Sequence, residues 1–505
     1  MSISTAIGTE RRSRVSGYKI KKGNFDNNTP NLPQQVVILA EANSANQASV
    51  TTDKREITSA DEAGRIYGYG SPIHQIMRIL RPQSGDGIGG IPTIVMPQKE
   101  EPGATATQIV WTVTGTATKS VTHNLIIAGR GSLDFKNYAV NIVTGDTATI
   151  IAGKIKDAIN AVLGCPFSAA NALGVMTATS KWKGATAANL NLQISNNGDA
   201  AGITYALTTT TPGTGVADIS DALAQFEDNW YTSIINSYGE TKLADLEAFN
   251  GFPDDEAPTG RYEGRIFKPF MAFFGSTLAS KDDLTAITNN AARVNQCTNV
   301  LCPAPSSEGM PYEAAANMVR LFARIMQDNP ELDVNGKSYP DMPVPTTGVI
   351  GDMSDYNNRD LLIKNGCSTV ILAQGVYQVQ DLVTTYHPEG EDPLQYNYCR
   401  NLNLDWNVKD GYAILETQNV KDHVLVRDGQ VTDVPKAIKP KEWKAILFAY
   451  LDDLAEKALI NDPDFSKASL KVEISTTNPN RFETFFRYRR TGIARIESTD
   501  VEAGF

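Results

Sequence analysis

Cysteine and histidine are scarce in this 505-residue chain, and neither is arranged for chemistry. Cys165, Cys297, Cys302, Cys367 and Cys399 are odd in number and lack CxxC spacing, so neither a disulfide framework nor a zinc site is indicated, and maturation in a reducing cytoplasm is expected. His74, His123, His387 and His423 contain no HxH or HxxxH pair, so no metal centre and no cofactor is expected. Long apolar runs are missing as well. Stretches such as Ala445–Leu451 fall far short of the roughly 18–20 residues a bilayer span requires, which excludes a transmembrane protein. At the amino end Arg11, Arg12 and Arg14 follow the weakly apolar Met1–Gly8 instead of preceding it, the reverse of a secretory signal. Positive charge is in deficit: 46 Lys plus Arg against 57 Asp plus Glu give a net charge of −11, which repels a nucleic acid backbone. What is present is ordinary globular composition, 41% hydrophobic and 20% charged, in a chain long enough for about three domains.

Residues 1–33 read as a polar, basic arm broken by Gly17, Gly23 and Pro30, in which Tyr18 and Ile20 alternate with polar neighbours as in a half-exposed strand that can pair with another chain. Gln34–Glu41 is a buried strand. Ser59–Glu62 forms a capping box opening a helix through Ile66, and Ser71-Pro72 starts a second helix from Ile73 to Leu80. The intervening Gly68-Tyr69-Gly70-Ser71 lacks a preceding strand and a third glycine, so it reads as a helix-to-helix turn and not a dinucleotide fingerprint. Ile91–Met96 is a strand ending at Pro97. Composition then shifts: Thr, Ala, Gly and Asn dominate 103–215, with strands over Gln108–Thr114 and Asn124–Ala128 and a helix carrying Ile150, Ile151, Ile155, Ala158, Ile159 and Val162. This segment reads as an inserted β-rich domain.

From Asp218 helices and strands alternate: helices over Ile219–Trp230, Lys242–Phe249, Leu284–Val294 and Pro311–Gln327, strands over Tyr231–Asn236, Lys268–Gly275 and Thr298–Cys302. The fold class is therefore multidomain α/β (α+β), a layered core divided as 34–102 and 216–435, interrupted by 103–215 and flanked by arms at 1–33 and 436–505. No nucleophile elbow or phosphate loop sits at the strand ends. Asp254-Asp255-Glu256 and Asp282-Asp283 are the acidic runs a multidomain hydrolase or transferase would need, but beside Pro253 and Ser280 they read as loop and helix-start charge.

Pro440 opens a helix to about Ile460, with Trp443, Ile446, Leu447, Tyr450, Leu451, Leu454 and Ala458 on one apolar stripe. Lys436, Lys439, Lys441 and Lys444 crowd its entrance, where cations oppose the helix macrodipole; solvent or an acidic partner must compensate. In the tail, Phe482, Thr484, Phe486 and Tyr488 fall on one strand face and Glu483, Phe485, Arg487 and Arg489 on the other. A chain with a strand-donating arm at each end is suited to open-ended pairing into helical polymers.

These residues resemble the contractile tail sheath proteins of Mu-like myophages. The resemblance rests on Leu32–Leu39 after the basic arm, the Tyr67–His74 turn, Val113–Thr118, Ile126–Arg130, Asp228–Tyr231 and Asn478–Phe482, and spans nearly the whole chain. The tail is more polar and aromatic than the aliphatic tails typical of that family. The resemblance implies a structural subunit, not an enzyme, that polymerises as stacked rings around a tail tube and contracts to drive the tube through the host envelope for genome ejection. It implies arms carrying Tyr18, Ile20, Phe482, Phe486, Tyr488 and Ile493 that add strands to a neighbour, an outward-facing insertion, and a tube-facing helix with Lys436, Lys439, Lys441 and Lys444. The implied partners are further copies of the chain, the tail tube protein, and baseplate and tail terminator proteins, with no nucleic acid contact and no membrane insertion. The implied location is the virion, after assembly in the bacterial host cytoplasm. The sheath of a phage-derived bacteriocin or injection system shares this physics, and a multidomain α/β hydrolase with a carbohydrate-binding insertion is the alternative of a different class.

Overall fold

The computed structural model describes residues 30–391 and 395–504; Tyr18 and Ile20 lie outside the described residues. Strand β1 (Val36–Glu41) is buried at every position and is followed by a two-residue edge strand, β2 (Arg55–Glu56). Ser59 caps helix α1 (Ala60–Tyr67), its Oγ accepting from the Glu62 amide at 3.1 Å. The reciprocal bond is displaced by one residue, because the Glu62 carboxylate accepts from the amide of Thr58. Helix α2 (Pro72–Leu80) begins on its proline, with Ser71 Oγ accepting from His74 N. Strand β3 (Thr93–Gln98) runs on through Pro97, which stands opposite Ala40 past the end of β2, on an open side where proline is tolerated.

The next hundred residues hold β4 (Ala106–Gly115), β5 (Val121–Ile127), β6 (Ser132–Leu133), β7 (Lys136–Asn137), β8 (Ala139–Ile142), α3 (Ala148–Asn160), β9 (Phe167–Ala172), β10 (Val175–Lys183), β11 (Leu192–Ser195) and β12 (Ile203–Thr211). Among the described residues these strands pair only with one another, in the orders β12-β4-β10-β9, β11-β5-β8 and β6-β7. Where the segment begins and ends, Thr105 and Thr214 exchange backbone hydrogen bonds and their hydroxyls meet at 2.8 Å. Ile151, Ile155 and Ile159 of α3 are buried, as the helical spacing predicts, whereas Ile150 faces out. Asn160 plugs the outer edge of β9: its side chain both donates to the carbonyl and accepts from the amide of Ala169.

Helix α4 (Ser220–Ala224), β13 (Ser233–Asn236), α5 (Leu243–Asn250), β14 (Met271–Ser276), α6 (Lys281–Thr288), β15 (Asn299–Pro303) and α7 (Pro311–Asp328) complete the α/β part. The helix expected over Ile219–Trp230 is realised only as α4. Gln225 and Phe226 bond three residues back, and Glu227 takes a left-handed φ of 44° that ends it. Phe226 is instead buried edge-on to Tyr231 and Phe249. The helix expected to reach Val294 likewise stops at Thr288, where Asn290 turns the chain by accepting from the amide of Ala292.

The central sheet has the order β15-β14-β13-β1-β3-β2, parallel throughout except for β2. Side chains alternate across it: Val36, Ile38 and Ala40 join one hydrophobic core with α2 and α7, while Val37 and Leu39 join a second with α4 and α5. The first of these cores continues without a break into the β4–β12 segment.

Periodicity marks no element between Gln327 and Pro440, yet the chain forms α8 (Tyr356–Lys364), a hairpin of β16 (Thr369–Ala373) and β17 (Val376–Asp381), and the 21-residue α9 (Cys399–Asn419). The last is rich in Asn and Asp with a glycine inside, poor intrinsic helix formers that conceal it from propensity. Beyond it come β18 (Val424–Leu425), β19 (Ala437–Ile438), α10 (Pro440–Glu456), β20 (Ile460–Asn461), α11 (Pro463–Ser469), β21 (Lys471–Ile474) and β22 (Phe482–Phe485). The chain divides into two compact units, one of Asn31–Lys409 with the residues from Arg490 on, the other containing Asp410–Arg489. No helix among the described residues is long and apolar enough to cross a membrane.

The glycine turn between α1 and α2 has a steric reason. Gly70 has φ +85°, and a Cβ there would stand 2.3 Å from the carbonyl oxygen of Cys165. Gly70→Ala is expected to destabilise the chain by about 2–4 kcal/mol, from left-handed strain plus overpacking. Gly89→Ala, equally left-handed at +72° but in open space, is expected to cost only about 1–2 kcal/mol. Equal denaturation midpoints for the two variants would refute the close approach.

Candidate assembly surfaces

In the unit containing Asp410–Arg489, α10 buries Trp443, Leu447, Tyr450, Leu451 and Leu454. Ile446 is half-buried, and Ala458 lies past the helix end, exposed and left-handed. Trp443 meets Tyr412 edge-on at 5.8 Å and donates its Nε1–H to Thr484 Oγ1 at 3.2 Å. Phe486 stacks on the other ring neighbour of this group, Tyr412, at 6.1 Å, and Tyr488 tilts against Phe486 at 6.2 Å. Phe482 stands opposite Ile474 in the antiparallel β21–β22 ladder, which is shorter than the strand the alternation predicts. Thus the face of Phe482, Thr484, Phe486 and Tyr488 is half-buried within its own unit. The opposite face is open: Phe485 is 51% exposed beneath the Arg487 guanidinium, and Arg489 covers Phe465 and pairs with Asp462 at 2.8 Å.

The four lysines at the entrance to α10 have different surroundings. Glu442 reaches back to accept from the Lys439 amide at 3.1 Å and lies 3.6 Å from its Nζ, so the first turn carries its own countercharge. Lys444 extends over the Phe448 ring at 5.5 Å. Lys436 and Lys441 have exposed side chains, while their backbones are held by Val424 N and Asp428 Oδ1 respectively.

In the other unit, the terminal segment is fastened by arginines that local periodicity does not reveal. Arg490 forks onto Asp405 at 2.8 and 2.5 Å; Arg400 donates to the carbonyl and hydroxyl of Thr491; Arg495 lies over Tyr398 and pairs with Asp381 at 2.8 Å and with Asp333. Ile493 is half-buried between these anchors. Their acidic partners lie some 85 to 162 positions earlier in the chain, so no sequence window could pair them.

A third cluster joins the β4–β12 segment to the central sheet and helices. Arg130 bonds Glu313 Oε2 at 2.9 Å and Asp341 Oδ1 at 3.2 Å. Burial opposes its charge, but the two carboxylates outweigh burial and raise its pKa. Lys181 donates to the carbonyls of Tyr69 and Leu163, and Asn191 and Gln193 both bond Glu308. Glu41, at the carboxyl end of β1, accepts from Thr186 Oγ1 at 3.1 Å, and Thr186 in turn accepts from Trp182 Nε1 at 3.0 Å. Burial pushes the Glu41 carboxyl up to about 8 from an ordinary 4.5.

The acidic runs considered for an enzyme serve the backbone. Asp254 accepts from the amides of Glu256 and Ala257, which lowers its pKa, and the amides of Asp282 and Asp283 are capped by Ser280. All five cysteines are buried free thiols. Among the described residues no group of three His, Cys, Asp or Glu is placed to hold a metal ion.

Compared with known proteins, the chain is similar to structural proteins of phage tails, specifically to tail sheath proteins. The relative found is the Mu-like prophage FluMu tail sheath protein of Haemophilus influenzae (strain Rd), 25% identical over 433 residues, which cover 84% of this chain and 84% of that protein. The resemblance drawn from the residues is thereby borne out over most of the chain. Among solved structures, the sheath tail protein of Desulfitobacterium hafniense aligns with a TM-score of 0.46 and 11% sequence identity over 94% of this chain and 100% of that one. No family model matches the chain.

Removing Arg130 leaves Glu313, 2% exposed, without its cation. Arg130→Ala is therefore expected to destabilise the chain by about 3–5 kcal/mol, and Asp341→Ala, at a 42% exposed carboxylate, by no more than about 1 kcal/mol. Chemical denaturation of the two variants tests this; similar losses in both would remove Arg130 from the joint. Glu41 sets a pH dependence of definite sign. Folded protein keeps this proton between pH 4.5 and 8 while the unfolded chain releases it, so stability present below 4.5 is lost as pH rises through 8. Glu41→Gln should flatten that decline in thermal midpoint, and an unaltered slope would show that the carboxyl is ionised.

Proposed function

We propose that this chain is the structural subunit of a contractile phage tail sheath, a component of the virion and not an enzyme. The similarity over 433 residues to the FluMu tail sheath protein carries this reading. Copies stack as rings around the tail tube, with baseplate and tail terminator proteins at the two ends. The chain serves this as an amino-terminal arm (1–33), a core (34–102 and 216–435), an inserted outer domain (103–215) and a carboxyl-terminal part (436–505). Contraction repacks the subunits between two arrangements, the cores moving as rigid bodies while the arms keep neighbours linked, and the tube is driven through the host envelope.

Tyr18, Ile20, Phe482, Phe486, Tyr488 and Ile493 are proposed to lie in the arm contacts. Half-burial of Phe482, Phe486 and Tyr488 in the single chain supports this, because it leaves ring area for a neighbour to cover. Lys436, Lys439, Lys441 and Lys444 are proposed to face an acidic tube surface. Of the four, only Lys439 has a carboxylate within ion-pair distance among the described residues, so an acidic partner supplies the countercharge for Lys436, Lys441 and Lys444.

Negative-stain imaging of the purified chain tests the reading: hollow cylinders are expected, and dispersed globular particles at every concentration would overturn it. The triple variant Lys439→Glu, Lys441→Glu, Lys444→Glu is expected to lower assembly on the tube by about tenfold or more, with tube-free cylinders unaffected. An undiminished yield of sheathed tails would remove the lysines from the tube contact.

A further inference from the structure

A cleft of about 840 Å³ opens where α1 and α2 face the β6–β7 hairpin. The hairpin turns on two residues, Asp134 and Phe135, both left-handed at φ 49° and 61°. That geometry favours Asn-Gly, and a bulky aromatic side chain there is strained. The Phe135 ring is nevertheless 86% exposed, so the strain brings no burial to the core and holds an aromatic face at the mouth of the cleft. Exposed Leu163 lies on the same rim.

The wall mixes polar and apolar surface about equally, and its carboxylates are already matched. Asp134 pairs with Arg78 at 3.1 Å, Asp341 with Arg130, and Asp61 with Arg65 and with the Tyr69 hydroxyl. Two cations are not matched. Arg320 donates to the carbonyl of Ile79 at 3.0 Å and Lys136 to that of Ala161 at 3.2 Å, and neither has a carboxylate within ion-pair distance among the described residues. An apolar ligand would cover both charges with no counterion, whereas a hydroxyl-rich ligand with an anionic substituent supplies one.

We propose that this cleft binds an acidic oligosaccharide, one sugar ring stacked on Phe135 and a uronate carboxylate held by Arg320 and Lys136. Such a site adds a recognition function where α1 and α2 meet the β6–β7 hairpin and does not depend on the sheath reading. The aromatic face supplies stacking for any pyranose, and the two cations select the charged one.

Isothermal titration of the full-length chain with trigalacturonic acid and with maltotriose provides the test. Trigalacturonic acid is expected to bind about tenfold more tightly than maltotriose at low salt. Phe135→Ala should weaken the acidic sugar about tenfold, and Lys136→Gln, at an exposed position remote from the core, should abolish most of the preference for acid over neutral sugar. Arg320→Gln should act in the same direction as Lys136→Gln. Absence of binding to trigalacturonic acid at millimolar concentration, equal affinity for the two sugars, or affinity unchanged by Phe135→Ala would each overturn the proposal.

Discussion

The Arg130 guanidinium is withdrawn from water, and only Glu313 and Asp341 make that tolerable. Its two carboxylates belong to the first turn of α7 and to the loop after it, while Arg130 itself follows β5. A charge so placed has no acceptable alternative position: moving the β4–β12 segment away from α7 would leave three ions partly desolvated and unpaired. The neighbouring contacts reinforce it, the polar ones because separation would leave a polar group unpaired and the Gly70 one because the two backbones pack without room for a side chain. Lys181 on two carbonyls, Glu41 on Thr186 and the backbone-to-backbone approach at Gly70 all lie along the same seam. The hydrophobic core crosses it uninterrupted, so packing and polar constraint agree.

Several residues that carry the family resemblance gain a physical reason from this seam. Gly68 has an added Cβ blocked by Asn43, Gly70 by Cys165, and Tyr69 offers its carbonyl to Lys181. In Ile126–Arg130, Ile127 is core, Gly129 is left-handed against Pro343, and Arg130 is the buried cation. At Gly68, Gly70 and Gly129 one part of the chain touches another too closely for a side chain.

The parallel sheet is legible because strands buried on both faces read as short apolar runs, β-branched in β1 and β13 and aromatic in β14. Helices with caps or a proline at the first turn, α1, α2, α7 and α10, were legible for the same local reason. Apolar spacing continues through Phe226 and Trp230 and suggests a helix longer than α4, but those rings serve other clusters. α9 is not legible, because neither propensity nor an apolar stripe marks it. Of the candidate surfaces, the lysines at α10 were visible as a cluster, yet the Glu442 countercharge is a question of geometry. The arginine anchors at 490 and 495 could not be read at all, their acidic partners being distant in sequence.

Sheet order has a consequence for how the chain comes into being. Central β1 can pair with β3 soon after synthesis, but its other neighbour is β13, almost two hundred residues later. A ribosome at about 5–20 residues per second delivers that strand many seconds afterwards. During this interval Val37 and Leu39 have no second sheet neighbour and no α4 or α5 to cover them. The β4–β12 segment, whose strands pair only among themselves among the described residues, can condense while the wait lasts and so shorten the loop that β13 must close. The bridge between Thr105 and Thr214 then brings the two ends of that loop together, which makes a pair of threonines the point through which synthesis order and final topology are reconciled.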